Sequence, residues 1–130
     1  MDFDIKNGIL YSVVPGDHRD ITLPQGIDAI WFDAFASCKD VVSITISPGI
    51  KYIKGGVFLE CISLKELCIP DSVKKIHVFD EQYIENCKLS YCPGGYSEFR
   101  NAASGFKVIC GKDSFAEKYC QHFHIPFDIK

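Results

Sequence analysis

Positive charge is scarce and dispersed in this chain. Its 14 Lys and Arg are outnumbered by 17 Asp and Glu, for a net charge of −3, and no basic run is longer than Lys74-Lys75. A surface that follows nucleic-acid phosphates needs clustered cations, so no nucleic acid is expected as a partner. No apolar run approaches the roughly eighteen residues of a membrane-spanning helix, and no membrane span is expected. The stretch Met1-Asp2-Phe3-Asp4-Ile5-Lys6 has neither the basic start nor the apolar core of a secretion signal. If Met1 is the natural start, the chain is expected to be soluble and either cytoplasmic or carried to the surface by another route. Catalytic signatures are missing too: there is no GxSxG, no P-loop, no HExxH and no pair of acids on a common face. The expectation is a protein that is not an enzyme and carries no cofactor.

Also lacking is a cysteine pattern. The seven cysteines are Cys38, Cys61, Cys68, Cys87, Cys92, Cys110 and Cys120, an odd number spread thinly with no CxxC among them. An odd set cannot close into a complete intramolecular disulfide framework, which favours a reducing compartment. Cys87, Cys92, Cys110, Cys120, His122 and His124 would supply zinc ligands only if the C-terminal end folded back on the preceding loop. Without ligand spacing to support it, no metal is expected, and these residues read as small buried side chains and surface histidines.

What the chain does have is a repeat. With 130 residues, 47% apolar and 24% charged, it suits one domain with a sizeable core. Ile21-Thr22-Leu23, Ile44-Thr45-Ile46 and Leu67-Cys68-Ile69 begin three units at intervals of 23 residues. A fixed period in the twenties marks a chain that stacks like units side by side. In each triplet a strand's alternation points the outer two side chains one way and the middle one the other. Ile21, Leu23, Ile44, Ile46, Leu67 and Ile69 go inward, each burial worth roughly 1.5–3 kcal/mol. Thr22, Thr45 and Cys68 form a row on the exposed strand face, and Cys68 is the thiol expected to be alkylated most easily. Pro24, Pro48 and Pro70 end the strands, since proline has no N–H for another rung.

After each turn comes an apolar pair: Ile27 and Ile30, Ile50 and Ile53, Val73 and Ile76. Phe35 and Phe58 follow at one fixed offset, Cys38 and Cys61 at a second, Val41 and Leu64 at a third. All are expected to point into the core from the convex half of the units. The third unit departs from the rule after Ile76, where Phe79, Tyr83, Ile84 and Cys87 read as a helical segment of different length. Leu89-Ser90-Tyr91-Cys92-Pro93-Gly94 then echoes the strand-and-turn of the second unit.

The flanks read as terminating pieces. Phe3 to Val14 forms a hairpin around Asn7-Gly8, placed to cover the open edge of the first repeat. Tyr91 to Phe106 reads as an irregular loop or short helix. Lys107-Val108-Ile109-Cys110 is a last strand, and Ser114 with Glu117 is a capping box. It opens a helix whose Ala116, Tyr119, Cys120 and Phe123 share a face, with Glu117, Lys118, Gln121 and His122 outward.

These residues carry a resemblance. Ile21-Thr22-Leu23-Pro24-Gln25-Gly26-Ile27, Ala34-Phe35-Ala36-Ser37-Cys38 and Ile69-Pro70-Asp71-Ser72-Val73 resemble the BspA-like leucine-rich repeat family, the treponemal-type surface-protein repeats. Asn7-Gly8-Ile9-Leu10 is similar to the family's N-terminal turn, and Gly111 to Cys120, followed by Ile125-Pro126-Phe127, to its C-terminal capping helix. Only Tyr96 to Ser104 falls outside the pattern. The resemblance implies an α/β repeat fold, a short right-handed leucine-rich-repeat solenoid with an N-terminal β-hairpin cap and a C-terminal helical cap. Its sheet would have one face exposed and irregular or helical convex segments. The boundaries are residues 1–20 for the N-terminal cap, 21–43, 44–66 and 67–88 for the repeats, 89–106 for a partial repeat and irregular loop, and 107–130 for the C-terminal cap. Relatives of this kind are commonly secreted or bound to the cell surface, which pulls against the cytoplasmic expectation. Cys38 and Cys61, one rung apart, are close enough for a disulfide, but the family repeat uses cysteine there as a small core residue, so reduced packing is favoured.

A solenoid presents its strand face as an array suited to a protein or a glycan. The expected function is therefore a non-catalytic binding module, with Thr22, Thr45, Cys68, Asp20, Ser43 and Glu66 as the ligand-binding residues and Trp31 as a partly exposed hot-spot candidate. One alternative is a self-assembling structural or adhesive element, a weak homo-oligomer. The remote alternative is a Cys/His enzyme whose Tyr91 to Phe106 loop roofs a pocket, although His18 and His77 have no orienting carboxylate in register with a cysteine.

Overall fold

The structure, a computed structural model, describes residues 1–89 and 97–130. The chain opens with β1 (Asp2–Lys6) and β2 (Ile9–Val14), paired antiparallel. Asn7 and Gly8 join them at φ 53 and φ 78, the double left-handed conformation of a two-residue hairpin turn.

Each repeat then lays down two short strands. The first set is β3 (Asp20–Thr22), β5 (Ser43–Thr45) and β7 (Glu66–Cys68); the second is β4 (Ala29–Ile30), β6 (Tyr52–Ile53) and β8 (Lys75–Ile76). Strands of each set pair in parallel with their counterparts one unit away, Ile44 opposite both Ile21 and Leu67, and Ile53 opposite both Ile30 and Ile76. The ladder runs on past the strand ends, where Leu23 N–H donates to Thr45 O at 3.0 Å and Ile46 N–H to Cys68 O at 3.0 Å.

The second set corrects the expectation of a single sheet with irregular or helical convex segments. Ile27–Ile30 spacing resembles a helical or turn pattern, but the turn at Gly26 (φ 89) leaves Ala29 and Ile30 extended. There Ile30 can bury its side chain and still use its backbone in a ladder. The hairpin joins this second sheet, since β2 pairs with β4, and not the sheet of the threonine row, where β3 remains an edge strand.

The third unit is lengthened. After β8 come β9 (Phe79–Asp80), antiparallel to β8, and the helix α1 (Glu81–Leu89). Asp80 caps the helix, its Oδ1 accepting Tyr83 N–H at 2.8 Å. The helical reading of this segment holds for Tyr83, Ile84 and Cys87, whereas Phe79 lies in β9. The echo from Leu89 to Gly94 falls, beyond Leu89 at the end of α1, outside the described residues. The strand that lies next to β7 is instead β10 (Lys107–Cys110), with Val108 opposite Leu67 and Ile109 opposite Cys68.

The described part of the Tyr91 to Phe106 segment, residues 97–106, is an irregular run of turns that nonetheless packs into the core. Phe99 and Phe106 are buried, and Phe99 extends an aromatic column: Phe35 stacks on Phe58 at 5.4 Å, Phe58 meets Phe99 at 5.2 Å, and Phe99 meets Phe106 at 5.2 Å. Phe99 precedes Val108 by nine residues, the same interval that separates Phe35 from Ile44 and Phe58 from Leu67. The repeat thus resumes after an insertion between Ile76 and Phe99.

The chain closes with α2 (Phe115–Phe123) and β11 (Phe127–Ile129), the latter parallel to β10. Ser114 Oγ accepts Glu117 N–H at 3.2 Å, and Glu117 Oε2 reaches back to Asp113 N–H at 2.7 Å. Ala116, Tyr119 and Cys120 are buried as expected; His122, expected outward, packs edge-on against Phe79 at 4.7 Å.

Two sheets result. One has six strands in the order β1-β2-β4-β6-β8-β9, the other five in the order β11-β10-β7-β5-β3. One continuous apolar core lies between them and includes every inward residue of the repeats, from Ile21 and Ile44 to Phe35, Phe58, Cys38 and Cys61.

Candidate functional site

The outward face of the five-stranded sheet carries the positions anticipated for recognition. Asp20, Ser43, Glu66 and Lys107 form one row across four strands, and Thr22, Thr45, Cys68, Ile109 and Asp128 form another across all five. Parallel register puts equal positions side by side, so six of the seven anticipated residues meet on one surface. Asp20 and Thr22 are exposed, while Ser43, Thr45, Glu66 and Cys68 are half-buried by their neighbours. Much of the row is tied together internally: Ser43 Oγ donates to Asp20 Oδ1 at 2.5 Å, and Lys107 Nζ reaches Asp128 Oδ2 at 2.6 Å. That carboxylate raises the Lys107 ammonium above its ordinary pKa. The face is mostly polar, with Ile109 and Cys68 as its less polar positions.

Trp31, the seventh residue, is elsewhere. It follows β4 on the outward side of the six-stranded sheet, beside Tyr11 at 6.2 Å and Phe32 at 5.8 Å. Lys54 Nζ lies 4.3 Å from the Trp31 ring centroid and 5.1 Å from those of Phe32 and Tyr52, while Lys75 Nζ stands 5.5 Å from the Tyr52 ring. A cation over an aromatic face is held by the ring quadrupole. Sequence reasoning found the tryptophan and missed the ladder around it. Its signal was the period itself, because Trp31 and Lys54, and again Tyr52 and Lys75, stand 23 residues apart.

One column of that face is interrupted. Phe32, Gly55 and Val78 are 23 residues apart in turn, so the glycine stands between two large apolar side chains, each 52% exposed. A cleft of about 400 Å³ is lined here by Phe32, Ile76, Val78 and Phe79 together with His77, Glu98 and Arg100. His77 takes the left-handed conformation at φ 55, unusual for a residue with a side chain. Its ring lies against Gly55 so closely that a Cβ there would collide with Nδ1. Two further wall residues are locked by hydrogen bonds: Glu98 Oε2 accepts Gly56 N–H at 2.8 Å, and Tyr119 Oη accepts Glu98 N–H at 3.0 Å. Burial pushes the Tyr119 phenol up to about 12.

Cys38, Cys61, Cys68, Cys110 and Cys120 do not converge on this cleft. Its described lining includes His77 but no cysteine. Cys38, Cys61, Cys110 and Cys120 are free and buried, and Cys68 is free and partly exposed. Burial raises the Cys38 thiol to about 11 and the Cys61 thiol to about 12, the charge of Cys38 adding to the latter. Burial likewise lifts Cys120 to about 12. A thiol so raised stays protonated near neutrality and is a poor nucleophile. Among the described residues, no group of three or more His, Cys, Asp or Glu is arranged to hold a metal ion, and no helix is long and apolar enough to cross a membrane.

Comparison with protein families finds that the model of the BspA type leucine-rich repeat region matches residues 11–103, in 6 copies. The match runs through Phe99, the residue at which the repeat resumes. No curated protein and no solved structure matches the chain.

Proposed function

Because this chain belongs to the BspA type leucine-rich repeat family, whose members are in general interaction modules, we propose that it is a non-catalytic binding module that recognises a protein or glycan on the outward face of the five-stranded sheet. The observation that carries this reading is the register. Asp20, Ser43 and Glu66 in one row, and Thr22, Thr45 and Cys68 in the next, are brought side by side from three successive repeats. A partner meeting that surface touches five strands at once and finds hydroxyls and carboxylates to hydrogen-bond without having to order long side chains, which keeps the entropic cost of binding low. In this reading the stack is right-handed, the hairpin and the α2–β11 segment are its two terminating caps, and the module works at a cell surface.

The test is steric. Thr22→Arg with Thr45→Arg places two long cations on the outward face while leaving the core untouched. The double variant, immobilised beside the wild type, should fail to retain the partner that the wild type captures and elutes. Retention equal to wild type would remove the five-stranded face from the binding reaction.

A further inference from the structure

The cleft holds one charged group that the fold leaves incomplete. Glu98 lines it and is only 7% exposed. Its Oε2 accepts Gly56 N–H at 2.8 Å, which fixes the side chain in place, but Oε1 has no hydrogen-bond partner and the carboxylate has no ion-pair partner among the described residues. Every described side-chain oxygen that is sealed from solvent does have a partner, so Oε1 is not sealed and opens on the cleft that Glu98 lines. A carboxylate withdrawn from bulk water with a single N–H to hold it costs free energy until a cation or further donors complete it. Arg100 also lines the cleft without doing so: it is exposed, its Nη1 donates to Ser97 O at 3.0 Å, and it forms no ion pair with Glu98. Lys54 and Lys75 rest on ring faces of the sheet, and neither lines the cleft. Two further carboxylates follow lining residues in the chain, Asp33 after Phe32 and Asp80 after Phe79. The His77 ring fills the space over Gly55, and much of the remaining wall is aromatic, with the Phe79 and Tyr83 centroids 4.4 Å apart.

From this pairing of an incompletely satisfied carboxylate with aromatic walls we infer that the cleft binds a primary alkylammonium group, one N–H directed at Glu98 Oε1 and the methylene stem lying against Phe79 and Tyr83. An ammonium brings three donors on one compact cation, and ring faces attract both its charge and its apolar stem. A carboxylate or phosphate ligand would meet Glu98 as a like charge, and a neutral apolar ligand would leave Oε1 without a partner. The same chemical group is carried by a free alkylamine and by the lysine side chain of a protein partner, and the test separates these sources. This site is distinct from the five-stranded face and does not depend on recognition at the threonine row.

Amide NMR titration tests it, because Gly56 N–H is bonded to the carboxylate in question and reports on a ligand that reaches it. n-Pentylamine, an ammonium near neutrality, should shift the Gly56 resonance saturably, and n-pentanol, the same stem without the charge, should bind at least about tenfold more weakly. Glu98→Gln keeps an acceptor for Gly56 N–H while removing the charge, and should weaken n-pentylamine binding by about tenfold or more. Its spectrum away from the cleft should match the wild type. Phe32→Ala, at a position 52% exposed, removes part of the aromatic wall without touching the core and should also weaken binding, an independent check should Glu98→Gln disturb the fold. An end-blocked alanine peptide with one central lysine, beside its acetyl-lysine counterpart, distinguishes the sources. Binding by the lysine peptide that acetylation abolishes assigns the cleft to a lysine of a protein partner, and binding by n-pentylamine alone assigns it to a free amine. Thr22→Arg with Thr45→Arg should leave both titrations intact, which separates this site from the five-stranded face. The inference is overturned by any of three results: no saturable shift with either ammonium, n-pentanol binding as tightly as n-pentylamine, or a folded Glu98→Gln that binds n-pentylamine as the wild type does.

Discussion

The two sheets are laid down by the same repeats and differ in nearly everything that faces outward. The five-stranded sheet is parallel throughout, has strands three or four residues long, and among the described residues ends on both sides in an unpaired edge, β3 and β11. The six-stranded sheet has two-residue strands at its centre and is finished on both sides by an antiparallel partner, β1 against β2 and β9 against β8. Antiparallel closure needs only a tight turn, so the chain can finish one sheet cheaply at each end, while the other keeps edges that are short and, at Asp20 and Asp128, charged. Such edges discourage further pairing. Outward chemistry divides the same way: small hydroxyls and carboxylates on one face, rings with lysines on the other. The inward positions must obey the period because they fill a shared core; the outward ones are free to differ.

That separation between obeying and free positions can be broken by mutation. The largest effect should come from Ile44→Ala. This side chain is 1% exposed at the centre of the five-stranded sheet, and its truncation should lower stability by about 2–5 kcal/mol in urea unfolding. Thr45→Arg, next to Ile44 in sequence but outward, and Thr22→Arg, opposite it on β3, should each move stability by no more than about 0.5 kcal/mol. Comparable losses from the inward and outward substitutions would show that the two sets of positions are not separable.

A smaller effect sharpens the comparison through pH. Cys38, Cys61 and Cys120 have folded values of about 11, 12 and 12 against an ordinary 9.0, and Tyr119 about 12 against 10.0. Since the folded values are the higher ones, the neutral forms favour the folded state, and this contribution is complete below about pH 9. As the pH rises from 9 towards 12, the unfolded chain ionises first and stability falls. Urea midpoints should therefore be flat with respect to these groups from pH 7 to 8.5 and drop steadily above 9. Loss of that drop in a Cys38→Ala, Cys61→Ala double variant that remains folded would trace it to the thiols between the sheets.

How much of this was legible in the sequence follows from what each strand had to signal. Ile21, Leu23, Ile44, Ile46, Leu67 and Ile69 announced the five-stranded sheet because three-residue alternation and a 23-residue period agree there, and its outward residues then followed by parity. The six-stranded sheet was hidden because two residues such as Ala29 and Ile30 cannot show an alternation, and Ile27 with Ile30 fits a turn equally well. Phe99 was passed over because the insertion after Ile76 moved it out of phase, although its nine-residue distance to Val108 was intact. The hairpin was read correctly at Asn7-Gly8, but which sheet it would extend depends on β4, a strand that was not anticipated. Trp31 was identified as a partly exposed side chain but without neighbours, for the same reason; Lys54 acquires meaning only once residues 23 apart are placed in contact.

Recognition on the five-stranded face is most directly tested at Cys68, a free thiol that stands partly exposed in the middle of that face. With the partner isolated on immobilised chain, iodoacetamide labelling followed by peptide mass mapping should find Cys68 modified readily in the free protein and protected in the complex. Cys38 and Cys61 should remain unlabelled in both. Equal labelling of Cys68 with and without the saturating partner would contradict binding on the threonine row.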